Sequence, residues 1–158
     1  MPSAVQISVA RRLILGFVAG ALAVVIFHQL TSYVLGLAGL SEGQVYSLRG
    51  VPPFGVPRIL SQMFWGGMWG VLFALIYDRF LPERPAWIGG FVYGLLGPLL
   101  VGWTLVAFIR GAPLFGGLNP SRMLVSFLLN AVAFGIGLAL IYRGLRRLAA
   151  GSAHGLPA

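Results

Sequence analysis

Of the chain's 158 residues about 70 % are apolar or Gly, against ~45–50 % in soluble domains, and only 9 % are charged; this excludes a water-soluble fold. A formal charge of +8 would suggest a nucleic-acid partner in a soluble protein, but here the arginines lie between and beside apolar runs instead of on one surface, so no nucleic acid is expected. The sequence has no Cys, which excludes disulfides, thiol chemistry and Cys-ligated metals.

Four stretches carry no charge: residues 13–41, 59–77, 85–109 and 123–142. A hydrocarbon core ~30 Å thick needs ~20 residues at ~1.5 Å rise each, so all four can cross it. The expected fold is all-α, a polytopic integral membrane four-helix bundle in one transmembrane domain. Its spans are expected at about 13–37, 57–80, 86–108 and 120–143.

The first span follows a short leader and the pair Arg11-Arg12, read as a basic anchor. It is too long for a signal-peptide core and is expected to be retained. It carries Gly16 and Gly20 four apart, then a polar cluster of His28, Gln29, Thr31 and Ser32. A polar loop over 39–47 holds Glu42. Pro57 suits the first position of the second span, where its missing N–H would have had no partner. Within that span Gly66 and Gly70 share a face, with Trp65 and Trp69 on a neighbouring one. The turn 78–85, with its acids, arginines and prolines, must lie outside the bilayer. The third span pairs Gly90 with Gly94, and Pro98 in its interior predicts a kink. Asn119-Pro120 reads as an N-cap and first-turn Pro opening the fourth span. Residues 144–158 are expected to form a disordered cytoplasmic tail.

The string Arg49-Gly50-Val51-Pro52-Pro53-Phe54-Gly55 recurs as Arg110-Gly111-Ala112-Pro113-Leu114-Phe115-Gly116, at an offset of 61. Three more blocks keep the same order: Gly16-Phe17-Val18-x-Gly20 with Gly90-Phe91-Val92-x-Gly94 (offset 74), Arg58-x-Leu60 with Arg122-x-Leu124 (64), and Ala74-Leu75-Ile76-Tyr77 with Ala139-Leu140-Ile141-Tyr142 (65). Four blocks in register predict a duplication, with repeats at about 11–80 and 86–145, and about 13 extra residues in the first repeat within 35–47. Two spans per repeat make the repeats parallel, so both connectors face the same side. Arg11, Arg12, Arg79, Arg84, Arg143, Arg146 and Arg147 flank one side, against Arg49, Arg58, Arg110 and Arg122 on the other. That bias predicts both termini inside (N-in/C-in), multi-pass in a bacterial inner membrane.

The candidate binding residues form two groups. Arg49, Arg58, Arg110 and Arg122 are candidates for an external anion-accepting vestibule, with lipid phosphates as their more ordinary partners. His28, Gln29 and Gln62 are candidates for an intramembrane polar site, although a neutral imidazole bonded to a neighbouring helix is the simpler role for His28. Ser61, Ser126 and Asn130 read as interhelical hydrogen bonds, and the two Trp as a packed aromatic face. The chain's other His, His154, is in the tail, so no metal site and no cofactor are expected from one chain; a haem or quinone subunit built on His28 is a third reading. The span interiors lack Asp, Glu and Lys, which argues against a carboxylate-driven pump and against any catalytic residue. The expectation is a non-enzymatic protein of the lipid bilayer, acting as a homo-oligomer through Gly16, Gly20, Gly66, Gly70, Gly90 and Gly94 or as an accessory subunit of a larger membrane complex. The alternative is a small anion or polar-solute transporter or channel using the Arg vestibule.

Overall fold

The structure is a computed structural model that describes residues 8–42, 44–80 and 85–151. The first seven residues, turn residues 81–84 with Arg84, and residues 152–158 with His154 lie outside the described residues. Four helices are long and apolar enough to cross a membrane: α1 (Val9–Leu37), α2 (Arg58–Arg79), α3 (Ala86–Ile109) and α4 (Pro120–Gly151). Many of their large side chains face outward, among them Ile14, Leu30, Trp65, Leu96 and Phe108. Water would penalise such a surface, whereas a bilayer requires it.

Two helix ends differ from expectation. α1 begins at Val9, not near Leu13, because Ser8 caps it by accepting from the Arg11 N–H (3.3 Å); Arg11 and Arg12 thus belong to its first turns. α4 continues to Gly151, so residues 144–151 are helical rather than part of a disordered tail. At the start of α4, Asn119 accepts from the Arg122 N–H (3.0 Å), as its place before Pro120 predicts.

α1 packs against α2 and α4, and α3 packs against α4. The closest approaches are at glycine. A Cβ on Gly20 would collide with the Gly66 carbonyl oxygen, and one on Gly70 with that of Gly16. The α3–α4 seam repeats the scheme: a Cβ on Gly90 would strike the carbonyl of Gly135, and one on Gly94 would lie 2.9 Å from the Ala131 Cα. Gly16 also abuts Ala74, and Gly90 abuts Ala139. The contacts are thus related by the offsets of 74 and 65 found in the sequence. The six glycines expected to pack helices are buried at close contacts between helices of the one chain.

The core lies between these seams. Fully buried Phe73 meets Tyr77, Tyr93 and Tyr142 edge-on at 5.5, 5.0 and 5.7 Å between centroids, a favoured aromatic geometry. Trp69 joins this cluster through Tyr93, whose hydroxyl donates to the Trp69 carbonyl (2.6 Å), while Trp65 turns outward. At the end of the bundle carrying residues 8 and 151, Asp78 accepts from both Arg12 and Arg146, joining α1, α2 and α4. The Arg146 guanidinium also lies 5.2 Å over the Tyr77 ring.

The two connectors at the other end fold differently. In the first, strands β1 (Gly50–Val51) and β2 (Val56–Pro57) pair antiparallel, so Pro57 ends a hairpin instead of opening α2. The hairpin contains a cis Pro52–Pro53 bond and left-handed Gly55. In the second, Phe115, Gly116, Gly117 and Leu118 are all left-handed, in a tight turn over Leu114–Leu118.

Candidate functional site

α1 is not a uniform helix. Residues Val24–His28 form a π-helical turn, which widens the backbone spiral and disrupts its regular hydrogen-bond ladder. The Val25 carbonyl accepts from the hydroxyl of Tyr46 (2.9 Å). The same residue's N–H donates to Gln29 Oε1 (2.9 Å), and Gln29 Nε2 donates to Gln62 Oε1 on α2 (3.1 Å). Gln29 is only 3 % exposed, so these bonds offset the cost of burying its amide. Tyr46 therefore staples the loop after α1 to the widened turn, and Gln29 joins loop, α1 and α2.

Gln29 also lines a cleft of about 240 Å³. α1 supplies His28, Gln29 and Ser32; α2 supplies Arg58 and Gln62. The loop adds Ser41, Glu42 and Gln44, and α4 contributes an apolar wall of Val125 and Leu129. The first turn of α2 is held here by the loop's backbone, since the N–H groups of Arg58 and Ile59 donate to the carbonyls of Arg49 (2.9 Å) and Ser47 (3.1 Å). Arg58 is thus a cation fixed at a helix N-terminus, where the dipole opposes it. An anion in the cleft would relieve that opposition.

His28 departs from the expectation that a neighbouring helix would satisfy it: its Nδ1 is buried and has no hydrogen-bond partner among the described residues. Gln62 makes the expected interhelical bond, whereas Asn130 donates to the Ser126 carbonyl within α4 (2.9 Å). Of the four arginines expected to form a vestibule the cleft takes in Arg58 alone; Arg49, Arg110 and Arg122 are exposed on the connectors and at the start of α4. Sequence reasoning did not find Tyr46 or Gln44, and it took Glu42 as the acid available to neutralise the four arginines rather than as a neighbour of His28. Their placement depends on a loop folding back over α1, for which the local signal is slight. Among the described residues no group of three His, Cys, Asp or Glu could hold a metal.

The cleft unites a guanidinium, a carboxylate and an imidazole with a free nitrogen, within a frame of amides and hydroxyls. Such a set can bind an anionic group through Arg58 and exchange a proton at His28 or Glu42.

No known protein family and no solved structure matches the chain. It is similar to two curated proteins named phospho-N-acetylmuramoyl-pentapeptide-transferase: that of Rhodococcus opacus (strain B4), 40 % identical over 110 residues, and that of Rhodococcus jostii (strain RHA1), 39 % identical over 109 residues. Each match takes in 68 % of this chain, and the chain spans 29 % of the length of either relative. The relatives are named as enzymes, which overturns the expectation of a non-enzymatic protein. That expectation rested on the absence of acids from the span interiors, and it overlooked that a loop can bring Glu42 to a helix-borne His. The chain is a membrane-like helical protein with partial similarity to two proteins named as transferases.

Proposed function

We propose that the chain is a membrane-embedded unit of phospho-sugar transfer, holding the phosphorylated part of its substrate in the cleft between α1, α2 and the 38–49 loop. Transfer of a phosphorylated sugar requires positive charge at the phosphate and a group that takes or delivers a proton. Arg58 supplies the charge and can engage phosphate with two parallel hydrogen bonds. His28 supplies the proton-exchanging nitrogen, and the Gln29–Gln62 pair fixes the wall between them. The observation that carries this reading is the buried, unpartnered Nδ1 of His28 in the same cleft as Arg58. The name of the relatives supports the substrate class. In this reading the chain is two parallel helix hairpins with both termini cytoplasmic, supported by the arginine count and by the shared offsets of the two glycine seams.

The test uses the full chain in vesicles, titrated with N-acetylglucosamine 1-phosphate and, separately, with the unphosphorylated sugar. Binding should require the phosphate and weaken about tenfold or more in Arg58→Gln, equivalent to at least ~1.4 kcal/mol, while Arg122→Gln should bind like the wild type. His28→Gln should keep binding but lose transfer of a phospho-N-acetylmuramoyl-pentapeptide group from a diphosphate-linked donor to an acceptor oxygen, the acceptor O–P bond forming as the donor's P–O bond breaks and the leaving phosphate departs. Equal affinity for both sugars, or equal weakening by the two Arg variants, would sink the proposal.

A further inference from the structure

A second cleft, of about 290 Å³, lies at the opposite end of the bundle, between the start of α3 and the last turns of α4. Its walls include Pro85 just before α3, Trp87 in its first turn, and Leu140, Arg143 and Arg147 from α4, with no acid among the described lining residues. Arg143 and Arg147 stand one helical turn apart, so their side chains rise from one face. Neither makes an ion pair among the described residues. Arg146, on an adjacent face, is instead committed to Asp78. Trp87 is half exposed at the lip, and Leu140 lies exposed on the spanning side. Two guanidinium groups with no ion pair among the described residues, beside a Trp and an apolar flank at the end of a membrane span, match an anchored lipid: phosphate at the arginines, the interfacial ring at headgroup level, and chains along the apolar flank. The N-terminal end of α3 adds attraction for negative charge, and Pro85 places no capping side chain there.

We infer that the cleft between α3 and α4 is a binding site for the phosphate headgroup of an anionic membrane lipid, separate from the cleft at His28 and Arg58. Nothing in the sequence reading assigned it, since Arg143 and Arg147 entered there only as topology signals. The site does not depend on the transferase reading.

The experiment measures lipid retention by native mass spectrometry on full-length protein released from vesicles of mixed phosphatidylglycerol and phosphatidylcholine. Wild type should keep one phosphatidylglycerol through delipidation and exclude phosphatidylcholine. Arg143→Gln and Arg147→Gln should each weaken retention several-fold, and the double variant at least tenfold. Arg79→Gln, an exposed arginine at the same end but outside the cleft, should retain lipid like wild type. If the double variant unfolds, the single variants carry the test, with helicity checked by circular dichroism. Retention unchanged in the singles, or phosphatidylcholine held equally well, would overturn the inference. So would displacement of the lipid by millimolar inorganic phosphate, which would mark a site for a soluble phosphate. Arg58→Gln should leave lipid retention intact, which keeps failure here distinct from failure at the other cleft.

Discussion

The α1–α2 and α3–α4 hairpins are built on the same seam but end in different loops. Gly16 meets Gly70 and Ala74 in the first; Gly90 meets Gly135 and Ala139 in the second. The connectors begin with nearly the same seven residues and then part. Val56 follows the first string, and a β-branched residue favours the extended backbone seen in the short hairpin. Gly117 follows the second, and left-handed conformation continues through it to Leu118. The loop after α1, around 35–47, also supplies Ser41, Glu42 and Gln44 to the cleft. The seams thus share their spacing, while the cleft combines helix residues such as His28, Arg58 and Gln62 with residues of the loop after α1.

The most damaging way to probe this parallel is to fill the seams. Gly70→Leu and Gly135→Leu put a side chain where the facing helix backbone lies, and backbone cannot yield as a side-chain end can. Each should destabilise the bundle by ~3 kcal/mol, the upper end of ordinary overpacking, read as a shift in unfolding by SDS titration. Gly102→Ala, with nothing within 4 Å of the new Cβ, should be close to neutral. Similar losses at Gly70 and Gly135 would sharpen the comparison; tolerance at one of them would break it.

The seams and the four spans were readable because they depend on short-range rules: an uncharged run long enough to cross, and small residues four apart. The Asn119 cap was readable for the same reason. Two ends were misjudged because charge was taken as a boundary. Arg11 and Arg12 sit inside α1, and α4 runs on through Arg143, Arg146 and Arg147. Pro98 was expected to kink α3, and it lies in a π-helical turn over Leu95–Leu99, where a widened spiral accommodates its missing N–H. The candidate site was half visible. His28, Gln29, Gln62 and Arg58 were named and do share a cleft, but Arg58 was expected with Arg49, Arg110 and Arg122, which do not line it. Tyr46 could not be placed, since its contacts reach 17 and 21 residues back along the chain to α1, and no local pattern encodes such a return.

A smaller effect separates the two ends of the bundle. Asp78 ties α1 and α4 to α2 at the terminal end, and no comparable ion pair occurs among the described residues at the loop end. Its side chain is 39 % exposed, so solvent screens the pair and Asp78→Asn should cost only ~1 kcal/mol. A double-mutant cycle with Arg12→Gln isolates the coupling. A coupling near zero would mean that the aromatic cluster and the seams hold this end without help from Asp78.

The smallest expected effect tests whether the extra loop of the first hairpin is a working part of the site. Tyr46→Phe removes the hydroxyl bonded to the Val25 carbonyl but keeps the ring and the N–H bonded to Gln29. The net worth of one such bond is ~0.5–1 kcal/mol. Because the bond joins a loop to a helix and not one helix to another, its loss should open the loop while the bundle's own unfolding stays where it was. Amide hydrogen exchange should therefore quicken over residues 44–49 and not across Gly16, Gly20, Gly66 or Gly70. The variant should also bind the sugar phosphate more weakly, since Glu42 and Gln44 are carried by the same loop. Faster exchange with unchanged binding would make the loop a cover of no consequence for the cleft, and the contrast between the hairpins would then be one of shape alone.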